Sequence, residues 1–298
     1  MIPISIIVKL LSEFGLIDTI GVQLAPAMGI VGLPGEFGLV LATAMLVNIY
    51  GSFIIFFQLS LTHTYSVAQV TILACMILIA HTLPIEARIA QKAGVRLWYS
   101  LFLRIGGAFL FGVILHAIFS SFHLLQQNNV LIWKPAYTGP SLAQWAWSQV
   151  SYYLIILLVI LGLMTLMHVL KKTGVLEKIN TTLKPGLEQL GMSKHAAMLP
   201  IIGMTLGLSY GGGVIVKEAK EKHITKKDIF FSLSFMNLSH SLIEDTLLML
   251  LIGASLASVF VGRILFTVSL MLIIVTIVSR LPKETFTKYF MNKWSQNL

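Results

Sequence analysis

His240, Glu244 and Asp245 stand inside an apolar stretch, "FMNLSHSLIEDTLLML" from Phe235 to Leu250, and His81 and Glu86 stand inside a second one, "IAHTLPIEARIA". Imidazoles and carboxylates in such surroundings can carry a proton, bind a cation or hold a polar solute. His240 and Glu244 are four residues apart, so on a continuous helix they share a face. Glu244 and Asp245 are adjacent, and two neighbouring carboxylates repel, which makes one of them a candidate proton carrier. Imidazole with carboxylate also suits iron, manganese or zinc, so His81, Glu86, His240, Glu244 and Asp245 form an alternative metal-ligating set. The plain alternative is that the His and Glu pairs only fasten helices together.

The surroundings of these residues are those of a membrane protein. Of 298 residues, 56% are hydrophobic and 11% charged, far below the roughly 25% charged residues of soluble domains. The runs Leu97 to Ser120, Ser151 to Leu170 and Val259 to Val278 approach or exceed the ~20 residues that a helix needs to cross a bilayer. An Asp at the bilayer centre costs about 2.5–3.5 kcal/mol on insertion scales, so buried carboxylates there are functional unless paired. The formal charge of +9 is read as orientation by cytoplasmic Lys and Arg, with no nucleic acid as partner. Cys75 is the sole cysteine and reads as a packing residue. No glycine-rich phosphate loop and no zinc-spaced Cys/His set occurs, so no cofactor is expected. No nucleophile stands beside a positioned base, so an enzyme is not expected either.

The chain is written twice. A displacement of 159 residues, the interval from His81 to His240, also places Gly15 on Gly174, Pro26 on Pro185 and Gly32 on Gly191. The apolar residues Ile17, Ile20, Leu24, Met28 and Val31 fall on Leu176, Ile179, Leu183, Leu187 and Leu190. Their three- and four-residue spacing predicts an interfacial amphipathic helix at the head of each copy. With one residue of slippage, "IYGS" meets "SYGGG". The copies cover about 5–115 and 164–275, joined by a helix over 144–170.

Charge then suggests the topology. Lysine-rich segments lie on both sides of His195 to Val216, and a simple span there would put them on opposite faces. A re-entrant hairpin with its tip at Ser209, Tyr210, Gly211, Gly212 and Gly213 keeps both in the cytoplasm, since glycine takes turn conformations freely. The repeat predicts a partner tip at Tyr50 to Ser52. These segments, "RIAQKAGVR" and the tail "RLPKETFTKYFMNK" hold 17 of the 21 Lys and Arg residues. The expected fold is therefore an all-α, polytopic integral membrane protein with two inverted-topology repeats. Each repeat has an interfacial helix, a re-entrant helical hairpin, a broken transmembrane helix and a spanning helix, an architecture of secondary transporters.

Residues related by the repeat are expected to converge on a substrate site: Asn48, Tyr50 and Gly51 with Ser209 to Gly213 from the tips, and His81, Glu86, Asn237, His240, Glu244 and Asp245 from the helix breaks. Broken helices expose N–H and C=O groups that can meet a polar or anionic ligand. Pro84 is expected to break the first helix. Arg104 and Arg263 read as helix-pairing or snorkelling residues rather than solute contacts.

The strings "GLPGEFGLVLATAMLVNIYGS", "IAHTLPIEARIAQKAGVR", "GLSYGGGVIVKEAKEKHITKKD" and "LSHSLIEDTLLMLL" resemble the bacterial nucleoside recognition, or Gate, domain proteins over nearly the whole chain. That family is similar in architecture to concentrative nucleoside transporters and to the membrane portion of ferrous iron transporters. The resemblance implies membrane transport. The cysteine motifs of the iron transporters and the Gln- and Glu-bearing hairpins of the nucleoside transporters are not matched here. The expected function is secondary transport of a small polar solute, nucleoside-like or an organic anion, with proton coupling, by a multi-pass protein of the bacterial inner membrane. Most basic loops and the C-terminus would face the cytoplasm. Divalent metal transport, or a non-transporting partner subunit, are the alternatives, and association of several copies is compatible with either.

Overall fold

The computed structural model describes residues 2–131, 141–219 and 224–292, so residues 220–223 in the second lysine-rich segment lie outside the described residues. All regular elements described are helices, and the chain is an all-α polytopic membrane protein. The first copy comprises α1 (Ile2–Glu13), α2 (Leu16–Gly29), α3 (Phe37–Leu46), α4 (Ile49–Thr62), α5 (Val67–Ala80), α6 (Leu83–Lys92) and α7 (Leu97–Ser121). The linking helix is α8 (Leu142–Lys172). The second copy comprises α9 (Val175–Gln189), α10 (Met198–Glu218), α11 (Lys226–Leu238), α12 (Glu244–Leu251), a π-helical segment Ala257–Gly262, α13 (Arg263–Ser279) and the terminal α14 (Lys283–Phe290).

The sequence interval reappears in the backbone. Left-handed φ values occur at Gly15 and Gly174, Gly32 and Gly191, Thr82 and Ser241, and Gly94 and Gly253, each pair separated by the same step. Ser66 opens α5 with a capping box completed by Gln69, and Thr225 opens α11 with one completed by Asp228. Reciprocal capping satisfies two of the N–H groups that a helix start leaves open, which is why both helices begin where they do.

Four segments among the described residues are long and apolar enough to cross a membrane: Val67–Lys92, Leu97–Ser121, Ala143–Lys172 and Ala257–Ser279. The first, formed by α5 and α6 together, is mostly buried, and α8 has few buried residues. A helix that is apolar all round and buried belongs to a core, and one that is apolar and exposed faces lipid.

Two compact units form, and neither is a single copy. The first contains residues 1–82, 109–169 and 247–255; the second contains 83–108, 170–246 and 256–298. In the first unit α2 packs on α3, α3 on α4 and α5, and α1 on α4. The approach of α2 is so close that a Cβ on Gly35 would stand 2.0 Å from the Gly21 carbonyl oxygen. Phe37 packs on Tyr65 with ring centroids 4.4 Å apart. The chain after α7 ties down the start of α5, with Val67 N–H donating to Gln127 O at 2.9 Å and Asn129 N–H to Tyr65 O at 2.8 Å.

In the second unit α10 packs on α6, α9 and α11, and α11 on α13. Tyr99, Phe230, Phe286 and Phe290 form an aromatic cluster under α14. The chain after α14 pairs with the segment before α7, Arg96 N–H donating to Phe290 O at 2.9 Å and Asn292 N–H to Gly94 O at 2.8 Å.

One expected element is corrected. The turn at Ser209 to Gly213 does not form, because α10 runs unbroken from Met198 to Glu218 through all three glycines. Helix propensity is a weak preference, and in an apolar setting the intrahelical bond is the readiest partner for each backbone group. Gly212 serves packing instead, since an added Cβ would lie 2.8 Å from the Ile89 side chain of α6. In the first copy a helical hairpin does form, but its break is at Val47 and Asn48, just ahead of the expected Tyr50 to Ser52. Pro26 and Pro185 are both carried inside continuous helices, α2 and α9.

Matched caps predict matched costs. Ser66→Ala and Thr225→Ala should each lower stability by about 1 kcal/mol, measured by thermal unfolding in detergent; a loss at only one site would show that the caps are not equivalent.

Candidate functional site

The two helix breaks are built alike. At the end of α5 the His81 Nδ1–H donates back to Ile77 O at 3.0 Å, and at the end of α11 the His240 Nδ1–H donates to Met236 O at 2.9 Å. The next residue turns left-handed in both, Thr82 with φ 50 and Ser241 with φ 45. Its N–H then finds a carbonyl on a neighbouring helix, Thr82 to Ala44 O at 2.8 Å and Ser241 to Gly203 O at 3.1 Å. Pro84 is not the cause: it sits in the first turn of α6, where a missing N–H is tolerated. The second break forms without a proline.

The second unit gathers the charges. Glu86 on α6 and Arg104 on α7 are an ion pair, with Arg104 0% and Glu86 2% exposed. His240 Nε2 lies 3.2 Å from the same carboxylate oxygen of Glu86. Nδ1 already donates, so Nε2 can hydrogen-bond that oxygen only when the pair carries a further proton. Arg263, also fully buried, donates through Nε to Leu238 O and through Nη2 to His240 O, both at 3.1 Å. Asp245 is buried and within electrostatic reach of Arg263, Glu86 and Arg104. Asn237 donates through Nδ2 to Ser100 Oγ at 3.3 Å, and Tyr99 OH and Ser234 Oγ share a hydrogen bond of 2.8 Å.

Several expectations change here. His240 and Glu244 do not share a helical face, because His240 lies in the break and α12 begins only at Glu244. His240 contacts Glu86 instead, and Glu244 is the half-exposed member of the carboxylate pair. The repeat partner of Glu86 is Asp245, as the common interval requires. Arg104 and Arg263 are repeat partners as well; of the two expected roles they take helix pairing, joining α7 to α6 and α13 to the end of α11, and being fully buried they do not snorkel. Their shared interval is a signal in the sequence that a pairing of histidines alone does not use.

The remaining candidates have other surroundings. Asn48 spends its side chain on the hairpin, accepting from Gly51 N–H at 2.8 Å as the cap of α4. Tyr50 faces an apolar pocket of the first unit with Phe53, Phe57, Ile156, Val159 and Leu248, which suits an apolar group rather than a polar solute. His81 belongs to the first unit. Ser209, Tyr210 and Gly211 are helical backbone within α10, and the side chains of Ser209 and Tyr210 lie outside the described residues. Thus Glu86, Asn237, His240, Glu244 and Asp245 belong to the second unit, and Asn48, Tyr50, Gly51 and His81 to the first.

Over 254 residues the chain is 30% identical to "Uncharacterized membrane protein YvoD" of Bacillus subtilis (strain 168), a match covering 84% of this chain and 80% of that protein. The chain belongs to the YvoD family of membrane proteins. No family model matches the chain, and no solved structure does. The YvoD-family match agrees with the four apolar segments of spanning length.

The ion pair has a measurable signature. Glu86→Leu leaves the Arg104 guanidinium buried without that carboxylate and should cost about 3–5 kcal/mol. Adding Arg104→Leu should recover most of it in a double-mutant cycle of chemical unfolding, whereas simply additive losses would show that the two side chains are not coupled.

Proposed function

We propose that the chain is a secondary transporter, or a transporter-like subunit, for a small polar solute in the bacterial inner membrane. The observation that carries this reading is the pair of matched helix breaks, one of them surrounded by buried charges. Stopping two helices in an apolar environment and burying two arginines beside them is costly unless the place is used. The resemblance to Gate-domain proteins supports the same reading and extends the solute to nucleoside-like molecules or organic anions.

Proton coupling fits the His240–Glu86 contact, where an imidazole and a carboxylate stand close enough to share a proton. Asp245 or Glu244 would then exchange protons with the bathing solution. The backbone pairing of Arg96 with Phe290, and of Gly94 with Asn292, supports placing the basic segment after α6 and the basic C-terminal tail on one side. The positive-inside tendency makes that side the cytoplasm.

Divalent metal transport is the second reading, and it does not rest on Glu86, which serves Arg104 and His240, so that a cation held there would meet the guanidinium groups of Arg104 and Arg263. A non-transporting partner subunit, in which the buried polar groups only hold helices together, is separated by experiment.

Purified protein in lipid vesicles with an imposed pH gradient should accumulate a polar solute from a panel of nucleosides and dicarboxylates. His240→Gln should abolish uphill accumulation while leaving the protein folded. Absence of flux for every solute, with stability lost on His240→Ala, would replace transport by the structural reading.

A further inference from the structure

We infer that the junction of α6, α7 and α14 in the second unit holds the headgroup of an anionic phospholipid. This goes beyond the transport reading and does not depend on it.

Four side chains meet at the junction. Arg96, just ahead of α7, donates through Nε to Met291 O at 3.1 Å, and Trp98 in the first turn of α7 donates through Nε1 to Tyr289 O at 3.2 Å. Lys288 holds its Nζ 5.4 Å from the centre of the Tyr289 ring. The bonds from Arg96 N–H to Phe290 O and from Asn292 N–H to Gly94 O fix the two backbone segments against each other. Phe286 and Phe290 anchor α14, stacked on one another and edge-on to Phe230. Two cations and two aromatic rings are thus carried on paired backbone, and a site whose groups are already ordered loses less freedom when it binds.

The charge here is not spent within the fold. The two Nη groups of Arg96 have no hydrogen-bond partner among the described residues, and Lys288 has no ion pair among them. Lys92, in the last turn of α6, adds a further exposed cation. The one carboxylate of α14, Glu284, lies a turn before Lys288.

The place of these cations decides what meets them. α7 is 25 residues long and apolar enough to cross a membrane, so its first turn lies at the boundary between acyl chains and headgroups. Trp98, Phe102 and Ile105 follow one another at helical spacing and are 48%, 70% and 38% exposed. They form an apolar stripe that faces lipid and runs up to the cations. Trp98 keeps its ring on that stripe and its N–H bonded, the usual division of an interfacial aromatic. A soluble anion would use the cations alone. Stripe and cations together match a phosphate esterified to acyl chains, the phosphate accepting from Arg96 and Lys288 and the chains lying along Phe102 and Ile105. A zwitterionic lipid brings its own cation beside the phosphate and gains less.

The test uses the purified full chain in neutral detergent, with thermal unfolding followed as phosphatidylglycerol, phosphatidylcholine or glycerol phosphate is added. Phosphatidylglycerol should raise the Tm more than phosphatidylcholine of the same chain length, and the excess should shrink at high salt. Glycerol phosphate, an anion without chains, should produce no shift. Lys288→Gln should lower the excess about twofold or more, since it removes one of the two nearest charges, with the Tm in phosphatidylcholine unchanged. Lys288→Arg should retain the excess, and so should Lys178→Gln on α9.

Equal shifts from the two lipids would overturn the inference, as would a shift from glycerol phosphate as large as that from phosphatidylglycerol. An excess untouched by Lys288→Gln would do the same. A Lys288→Gln protein that unfolds several degrees lower in phosphatidylcholine would show the lysine to be committed to the fold, and an equal loss from Lys178→Gln would make the effect one of net charge; either result removes the site.

Discussion

A helix that stops among apolar groups must still provide for the carbonyls and N–H groups it leaves open. In this chain that requirement is met twice by the same device. A histidine folds back on the carbonyl one turn earlier, the next residue turns left-handed, and its N–H reaches a carbonyl on the neighbouring α3 or α10. At the second break Arg263 adds a clamp on the carbonyls of Leu238 and His240. The arrangement explains why an arginine is retained deep in the protein: a guanidinium offers several donors in fixed directions, and the end of a helix offers acceptors with partial negative charge.

Arg263 and Arg104 occupy equivalent places in the two copies. Arg104 pairs with Glu86, and Arg263 holds backbone. The second unit combines α6 of one copy with α10 and α11 of the other, so Glu86 meets the histidine of the opposite copy. The copies differ at the hairpin, where Asn48 caps a new helix in the first copy and the second copy continues straight through its glycines.

Much of the fold is legible in the residues alone. The membrane character, the interval between the copies, the histidine-bearing breaks and the linking helix all follow from composition, run length and spacing, and these are local properties. Where spacing misleads, the cause is local too. Three successive glycines suggest a turn because glycine permits one, but α10 uses Gly212 to let α6 approach. Pro84 suggests itself as the cause of a break that its proline-free counterpart also makes. Helical spacing joins His240 to Glu244 across a stretch that is not helical.

The sequence by itself determined that this is an all-α membrane protein of two related halves, with charged residues placed where a helix is interrupted. Hydropathy and periodicity report such features directly, since they depend on neighbours along the chain. Only the tertiary structure decided that Glu86 belongs with Arg104 and His240, that Arg263 clamps a helix end, and that Arg96 and Trp98 meet the end of α14. In a low-dielectric interior a polar group is stabilised by whichever complementary group packing brings within reach. That choice is made by helices far apart in the chain, and spacing alone does not record it.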